Sequence, residues 1–205
     1  MEALLLPCGD GAVLVELPSL AAVLGLHAAL EASRPPGVVD LVPGARTLLV
    51  IGDPLVASPS VLADWVRATP FEPRVPAPAG AAVEIPVRYD GPDLASVADL
   101  LGLSPEAVVG LHTGSSWTAA FGGFAPGFAY LVTDHERLAV PRRAEARVGV
   151  PAGAVGLAGP FSGVYPRSSP GGWQLIGTTD AVLWDAERGA LLRPGATVRF
   201  RAAPP

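Results

Sequence analysis

The spacing of apolar residues along the first 70 positions changes from period two to a helical period and back, which predicts alternating strands and helices. The predicted elements are a strand at 12–17, a helix at 19–31, a hairpin at 38–51 and a second helix at 60–67. Pro18 precedes the first helix, and Pro43-Gly44 supplies the hairpin turn. The order β-α-β-β-α predicts a small ferredoxin-like α+β domain at residues 1–69.

A proline-rich stretch follows this domain and interrupts the regular spacing of apolar residues. Residues 70–80, PFEPRVPAPAG, have no apolar period, so we expect an extended linker. In residues 81–205 only two helices are predicted, the second with Ser104 as N-cap and Pro105 as its first residue. Short strands are predicted at 83–89, 117–121, 129–132, 155–158, 174–176, 181–183 and 197–200. Many short strands between Gly and Pro turns predict a closed or nearly closed barrel.

Composition narrows the classes of function. The chain has 205 residues, a net charge of −5 and no Lys/Arg-rich run, which makes it a poor candidate for nucleic-acid binding. Cys8 is the only cysteine, which excludes an internal disulfide and a cysteine-based zinc site. The N-terminus lacks a basic leader, and no apolar run reaches the length of a membrane span. We therefore expect a soluble, cytoplasmic protein without a membrane partner.

Several familiar catalytic motifs are absent from the sequence. There is no G-x-x-x-x-G-K-[ST] phosphate loop and no G-x-S-x-G nucleophile turn. The three histidines are isolated from one another, so no metal site is predicted. The unperturbed pKa of a histidine suits general base catalysis near neutral pH. We therefore predict a catalytic role for His112 if its side chain faces a pocket. A buried structural histidine is the more common alternative.

The densest unusual segment is GGFAPGFAYL, at residues 122–131. Its glycines permit close backbone approach, and Pro126 restricts the path of the chain. Phe124, Phe128 and Tyr130 can then wall a pocket around a small ligand. A tight turn packed into the core is the alternative, and the residues alone leave both interpretations open.

Four arginines and a second glycine-rich segment follow. Arg142 and Arg147, with Arg137 and Arg143, form either a solvated, salt-bridged loop or a bidentate site for a carboxylate or phosphate. Residues 162–177 combine exposed backbone N–H groups with side chains that can donate or stack, namely Tyr165, Ser168, Ser169 and Trp173. Hairpin turns of a barrel explain the same glycines equally well.

Taken in order along the chain, these motifs resemble a known family. The matching segments are 89–94 (YDGPDL), 102–104 (GLS), His112, 123–131 (GFAPGFAYL), 141–142 (PR), Arg147, 150–153 (VPAG), 163–166 (GVYP), 169–173 (SPGGW) and 175–177 (LIG). Together with Gly9-Asp10 and Leu192-x-Pro194-Gly195, they cover nearly the whole chain and are similar to the allophanate hydrolase subunit one family. That family includes the B subunit of bacterial ATP-dependent 5-oxoprolinase and the sporulation kinase inhibitor KipI.

The resemblance implies a fold, a reaction and partners. It implies an α+β N-terminal domain followed by a mainly-β cyclophilin-like barrel, and it singles out Arg142 and Arg147 among the arginines. The implied reaction opens the lactam of 5-oxoproline to glutamate, with ATP as co-substrate held mainly on a partner. The implied partners are a related second barrel subunit of the C type and a third oxoprolinase protein, without which the chain is expected to be inactive. A KipI-like inhibitor of a sensor histidine kinase is the alternative, and barrel analogy alone suggests a prolyl isomerase.

The sequence departs from the family pattern at a few positions. Ala146, Ala154, Phe161-Ser162 and Thr178 stand where Pro, Ser, Gln-Thr and Arg are usual. Together these changes remove a hydroxyl, an amide and a guanidinium from one neighbourhood. Weaker anion binding is therefore predicted if all three groups contact the ligand in the family.

Overall fold

The chain forms two compact units, residues 1–76 and 77–205, in a computed structural model that describes residues 3–75 and 79–204. The first unit contains, in order, β1 (Leu4–Cys8), β2 (Ala12–Glu16), α1 (Leu20–Ala32), β3 (Val38–Pro43), β4 (Thr47–Gly52) and α2 (Pro59–Ala68). Its strands pair antiparallel in the order β1-β2-β4-β3, and both helices contact this sheet. Alternate side chains of β2 and β4, such as Val15 and Val50, are buried in the core with Leu26 and Leu62 of the helices.

The strand β1 was not predicted from the sequence. Its LLLPC run shows no alternation of apolar and polar residues, and Pro7 argues against a strand unless the strand lies at an edge. The structure places it at an edge, paired with β2 from Leu4↔Glu16 to Cys8↔Ala12. In a β-α-β-β-α-β motif the last strand would lie beside the first. Here the N-terminal strand occupies that edge of the sheet.

The beginning of the predicted linker is packed against the first unit. The Arg74 N–H donates to the Ala21 carbonyl at 2.9 Å. A Cβ on Gly25 would lie 2.1 Å from the Glu72 carbonyl oxygen, so only glycine permits this approach to α1. Residues 76–78 of the predicted linker lie outside the described residues. The following strand begins at Ala79, earlier than the prediction of residue 83.

The second unit holds most of the strands. Its elements are β5 (Ala79–Val87), α3 (Leu94–Leu101), α4 (Pro105–Gly114), β6 (Trp117–Gly122), β7 (Ala129–Val132), β8 (Arg147–Val150), β9 (Ala154–Ala158), β10 (Phe161–Val164), β11 (Ser169–Gly171), β12 (Gln174–Thr178), β13 (Trp184–Asp185), β14 (Gly189–Ala190) and β15 (Ala196–Ala202). Seven strands form one sheet in the order β12-β9-β10-β7-β6-β15-β5, in which only the β15–β5 pair is parallel. Ser104 caps α4 as predicted, accepting from the Ala107 N–H at 3.2 Å.

The seven-stranded sheet curls until its two ends meet. Arg88, just after β5, forms an antiparallel bridge to Thr178 of β12, with both backbone hydrogen bonds at 2.8 Å. Glycine is needed on both sides of this seam, because a Cβ on Gly91 or Gly177 would lie within 2.4 Å of backbone atoms across it. The result is a barrel-like unit, in agreement with the predicted class of fold.

Two details of the barrel prediction were wrong. The predicted strand at 181–183 is not a strand; the chain pairs one residue later, in the small β13–β14 hairpin. The strands β8, β10 and β11 were not predicted, because RVGV, FSGV and SPG lack a clear alternation.

Among the described residues, no single helix is long and apolar enough to cross a membrane, and α3 and α4 reach such a length only as a pair bent by 89°.

Candidate functional site

A small cavity opens at one end of the curled sheet. Its volume is about 120 Å³, and its lining comprises Phe124, Phe128, Tyr130, Arg142, Tyr165, Gly171, Gly172 and Trp173. Six of the predicted binding residues therefore meet at one cavity, although 49 positions separate the first from the last. A cavity of this size accommodates a small acid or amide.

Aromatic rings form the walls and floor of the cavity. Phe128 is buried at the centre and makes edge-to-face contacts with Tyr165, Trp173 and Tyr130, with ring centroids 5.6, 5.4 and 5.1 Å apart. Each such pair contributes about 0.5–1.5 kcal/mol beyond the burial of apolar area. A Cβ on Gly171 would lie 2.3 Å from the Tyr165 hydroxyl oxygen, so this glycine makes room for the ring. The walls are therefore rigid and largely preformed.

The Gly-Phe-Ala-Pro-Gly-Phe segment consists of two successive tight turns. The Ala125 N–H donates to the Gly123 carbonyl at 2.8 Å, which makes a γ-turn centred on Phe124 with a φ of +67°. The Phe128 N–H then donates to the Ala125 carbonyl at 3.0 Å, in a turn whose third residue, Gly127, has a φ of +85°. Phe124 is held in this strained conformation at the cavity mouth with 55% of its surface exposed.

Arg142 is the cationic residue of the cavity lining. Among the residues that the structure describes, its side chain forms no ion pair and no hydrogen bond with the protein. Burial raises the pKa of the Tyr165 hydroxyl, and the nearby charge of Arg142 only partly opposes this effect. The cavity thus combines an apolar interior with a guanidinium that is available to an anion.

Arg147, the other predicted arginine, is used within the fold. Its Nη2 donates to Asp93 Oδ1 at 2.7 Å, and Arg143 Nη1 donates to the same oxygen at 2.9 Å. Asp93 Oδ2 accepts the Leu175 N–H at 2.7 Å. Burial opposes ionisation of Asp93, but these hydrogen bonds and both guanidinium charges outweigh it and hold its pKa below the usual value. The structure therefore does not place Arg147 at the cavity.

His112 lies in the main core of the second unit and not at the cavity. It is 0% exposed, with Nδ1 2.7 Å from the Tyr89 hydroxyl and Nε2 2.9 Å from Ser162 Oγ. Its ring stacks on Phe200 with centroids 4.2 Å apart. Burial lowers its pKa to about 3. The condition for a general base, that it faces a pocket, is not met among the described residues, and the catalytic role of His112 stays a prediction.

The remaining predicted residues lie away from the cavity lining. Pro126 is exposed in the turn, Ser168 is exposed before β11, and the Ser169 hydroxyl donates to the Arg167 carbonyl at 3.1 Å. Sequence reasoning also missed Asp93, whose only signal was its place in the YDGPDL segment. Within the described ranges, no three of His, Cys, Asp and Glu lie close enough to hold a metal ion.

Fold and cavity together define a class: a barrel-like β unit joined to a small α+β unit, with an aromatic small-ligand pocket. The family model for the carboxyltransferase domain, subdomain C and D, matches residues 3–192. Proteins named as the B subunit of 5-oxoprolinase are 45% identical in Escherichia coli O157:H7, over 80% of this chain and 78% of that protein, and 36% identical in Haemophilus influenzae, over 96% of both. A third, from Bacillus subtilis, is 48% identical over 58% of this chain and 51% of that protein. The chain belongs to the family of 5-oxoprolinase B subunits, also called allophanate hydrolase subunit one.

Solved structures show the same fold. The protein TTHA0988 matches with a TM-score of 0.75 and 38% identity over 96% of this chain, which spans only 40% of that longer chain. PH0987 of Pyrococcus horikoshii matches with a TM-score of 0.58 and 34% identity, over 98% of this chain and 97% of that one. The Kluyveromyces lactis urea amidolyase matches with a TM-score of 0.79 at 17% identity, over 98% of this chain and 15% of that one, which is a likeness of fold alone.

Proposed function

We propose that this chain is the B-type subunit of an ATP-dependent amide hydrolase that opens 5-oxoproline to glutamate and needs partner subunits for activity. The observation that carries the proposal is the aromatic cavity with Arg142, which has no ion-pair partner among the described residues, in a chain whose relatives are named as 5-oxoprolinase B subunits. A cyclophilin-like type of barrel and a cytoplasmic location belong to the same proposal. The binding residues that it assigns are Phe124, Phe128, Tyr130, Arg142, Tyr165 and Trp173.

The cavity matches the substrate in shape and charge. 5-Oxoproline has a compact five-membered lactam ring and a carboxylate. Phe128 and Trp173 offer apolar surfaces to the ring, and the Arg142 guanidinium pairs with the carboxylate, for which its planar fork is well suited. Loss of a hydrogen bond to a charged group costs about 1.5–3 kcal/mol, so Arg142 accounts for a substantial part of the binding free energy.

The reaction needs groups that this cavity does not supply. An unstrained amide is a poor electrophile. ATP transfers its terminal phosphoryl group to the lactam oxygen and leaves as ADP. Water then attacks the activated carbonyl carbon, phosphate departs, and the C–N bond of the ring breaks to give the amine of glutamate. The cavity volume of about 120 Å³ is small for a nucleotide, which supports a nucleotide site mainly on the related C-type subunit or the third protein. The contribution of this chain is then to fix the lactam ring and carboxylate in the orientation that the reaction requires.

The test is an assay of 5-oxoproline-dependent ATP hydrolysis by the chain co-expressed with the C-type subunit and the third protein. We expect stimulation by 5-oxoproline in the complex and none with the chain alone. Arg142→Ala should raise the KM for 5-oxoproline by about 10- to 100-fold and leave the KM for ATP unchanged. Arg137→Ala is the matched control, since Arg137 is an exposed arginine outside the cavity, and should leave both constants unchanged.

An absence of 5-oxoproline-dependent ATP hydrolysis in the full complex would contradict this substrate. In that case titration of the chain against a sensor histidine kinase tests the inhibitor alternative. An equal effect of Arg137→Ala and Arg142→Ala on the KM for 5-oxoproline would contradict the assignment of the binding site.

A further inference from the structure

A buried carboxylate lies behind the cavity and has no part in the binding proposed above. Asp93 is 3% exposed, and its two carboxylate oxygens accept hydrogen bonds from Arg143, Arg147 and the Leu175 N–H. Its own backbone N–H donates to the Leu175 carbonyl at 2.9 Å. A buried carboxylate is tolerated only when it is paired in this way. Asp93, Arg143, Arg147 and the Leu175 N–H therefore form one hydrogen-bonded cluster.

The segment that carries Arg142 is hydrogen-bonded on both sides of that residue to residues 172–174, which we call the cavity floor. Before it, the Pro141 carbonyl accepts from Gln174 Nε2 at 3.2 Å. After it, the Arg143 N–H donates to the Gly172 carbonyl at 2.8 Å. The floor residues 172–174 thus set the position of the Arg142 backbone, and the ion pairs with Asp93 hold this arrangement together.

Without Asp93, the arginine segment would carry uncompensated charge. Arg143 and Arg147 both donate to the same oxygen, so their guanidiniums lie close to each other. Like charges at such a separation repel each other, and solvent screens the repulsion only partly, because the Arg143 and Arg147 side chains are 36% and 23% exposed. The segment would then move away from residues 172–174, and the Arg142 guanidinium would leave the cavity edge with it.

We propose that Asp93 is a positioning residue for Arg142. Its carboxylate pairs with the two neighbouring arginines, offsets one of their two charges and so keeps the segment 141–147 in place, with the Arg142 charge directed to the ligand. The inference rests on the proposed function, because Asp93 acts through the binding of a substrate carboxylate by Arg142. It also accounts for the division of roles among the three arginines: two pair with Asp93, and the third stays unpaired among the described residues.

The experiment uses Asp93→Asn in the full complex. The amide keeps an oxygen for the Leu175 N–H but removes the negative charge. We expect the KM for 5-oxoproline to rise at least tenfold, with kcat changed less than threefold and the KM for ATP unchanged. A general loss of folded protein would instead lower kcat per total protein at constant KM. Asp180→Asn is the matched control, because it removes the carboxylate of the exposed Arg88–Asp180 pair, and should change neither constant.

A double-mutant cycle links Asp93 to Arg142. In an Arg142→Ala background, Asp93→Asn should raise the KM for 5-oxoproline by less than twofold further, since the residue that it positions is absent. Additive effects of the two substitutions would overturn the proposal. An unchanged KM in Arg142→Ala would overturn the proposed binding site instead, so the two failures are distinguishable.

A second variant covers the case in which Asp93→Asn does not fold. Arg147→Gln keeps a donor for Asp93 while removing one of the two charges, and leaves the Leu175 hydrogen bond in place. We expect a smaller rise of the KM for 5-oxoproline, about threefold or more, at nearly constant kcat, because the segment loses one of the two ion pairs that attach it to Asp93 and keeps only the pair through Arg143. If Arg147→Gln leaves this KM unchanged while Arg142→Ala raises it, the positioning role is wrong.

Discussion

Phe124, at the mouth of the cavity, has a backbone conformation that L-amino acids normally avoid. Its φ of +67° lies in the left-handed region, in a γ-turn closed by the Ala125 N–H. Such a conformation costs about 1–2 kcal/mol for a residue with a Cβ. The edge-to-face contacts with Phe128 and Tyr165, at 5.3 and 5.8 Å, offset part of this cost.

Phe124→Gly and Phe124→Ala should separate the strain from the ring contacts. Both remove the ring, but only glycine relieves the positive φ, so Phe124→Gly should be more stable than Phe124→Ala by about 1 kcal/mol. Urea unfolding of the two variants measures this difference. Phe128 has no positive φ, and there the order should reverse, with glycine less stable than alanine by about 0.5–1 kcal/mol. The same order at both positions would contradict the strain argument.

The elements that the sequence predicted best are those with a complete local signal. The helix α4 has its cap serine, its first-turn proline and its apolar spacing in ten consecutive residues. The strands β8, β10 and β11 have no such signal, because they are short and contain glycines that carry no side-chain pattern, and because β8 and β11 pair with each other across 19 to 24 positions. Helices with a complete local signal were therefore predictable, as were apolar strands such as β6 and β9, whereas these three short strands were not.

The same difference applies to the site. The aromatic turn at 123–128 is local, and its role as a cavity wall was predicted together with Trp173. The choice between Arg142 and Arg147 was not predictable, because it depends on Asp93, which lies 54 positions before Arg147. The burial of His112 depends on Tyr89, Ser162 and Phe200, which come from three other parts of the chain. No spacing rule along the chain contains this information.

Gly127→Ala tests the two-turn segment as an element. Gly127 has a φ of +85°, and a Cβ there would lie 2.6 Å from the Trp184 Cβ and 2.8 Å from the Leu183 carbonyl oxygen. We expect a loss of at least about 2 kcal/mol in the free energy of unfolding, because both the φ and the contact with backbone are unfavourable. Gly110→Ala is the control: it lies in α4 with no atom within 4 Å of its added Cβ, and should stabilise by about 0.5–1 kcal/mol. Equal effects in chemical denaturation would show that the turn tolerates a Cβ.

At the scale of the whole molecule, two buried groups control stability towards acid. His112 stays neutral when folded because burial lowers its pKa to about 3, whereas an unfolded histidine has a pKa of about 6.5. Between these values the unfolded chain binds a proton that the folded chain does not, so stability falls as the pH falls below about 6.5. Asp93 acts at lower pH: its pKa is depressed, so its contribution is complete above about pH 4 and is lost below.

His112→Gln should remove the upper part of this pH dependence. The wild-type protein should lose up to about 1.4 kcal/mol per pH unit through His112 between pH 6 and pH 4.5, and the variant should lack this contribution. The variant should also be less stable than wild type at pH 7.5, because glutamine replaces only part of the stacking and hydrogen bonding. Urea unfolding at pH 7.5, 6 and 4.5 checks both effects. A parallel pH dependence in the two proteins would contradict the assignment to His112.

The position of β15 has a consequence for the synthesis of the protein. This strand lies between β6 and β5, and Arg201 pairs with Glu84, 117 positions earlier in the chain. While a ribosome has not yet released residues 196–202, β5 and β6 expose unpaired strand edges, which favour association with other chains. In the first unit, every strand finds its neighbours within the first 52 residues, so its sheet can form early. We therefore expect the barrel to close only after residues 196–202 have left the ribosome, and cellular chaperones to encounter the second unit far more often than the first.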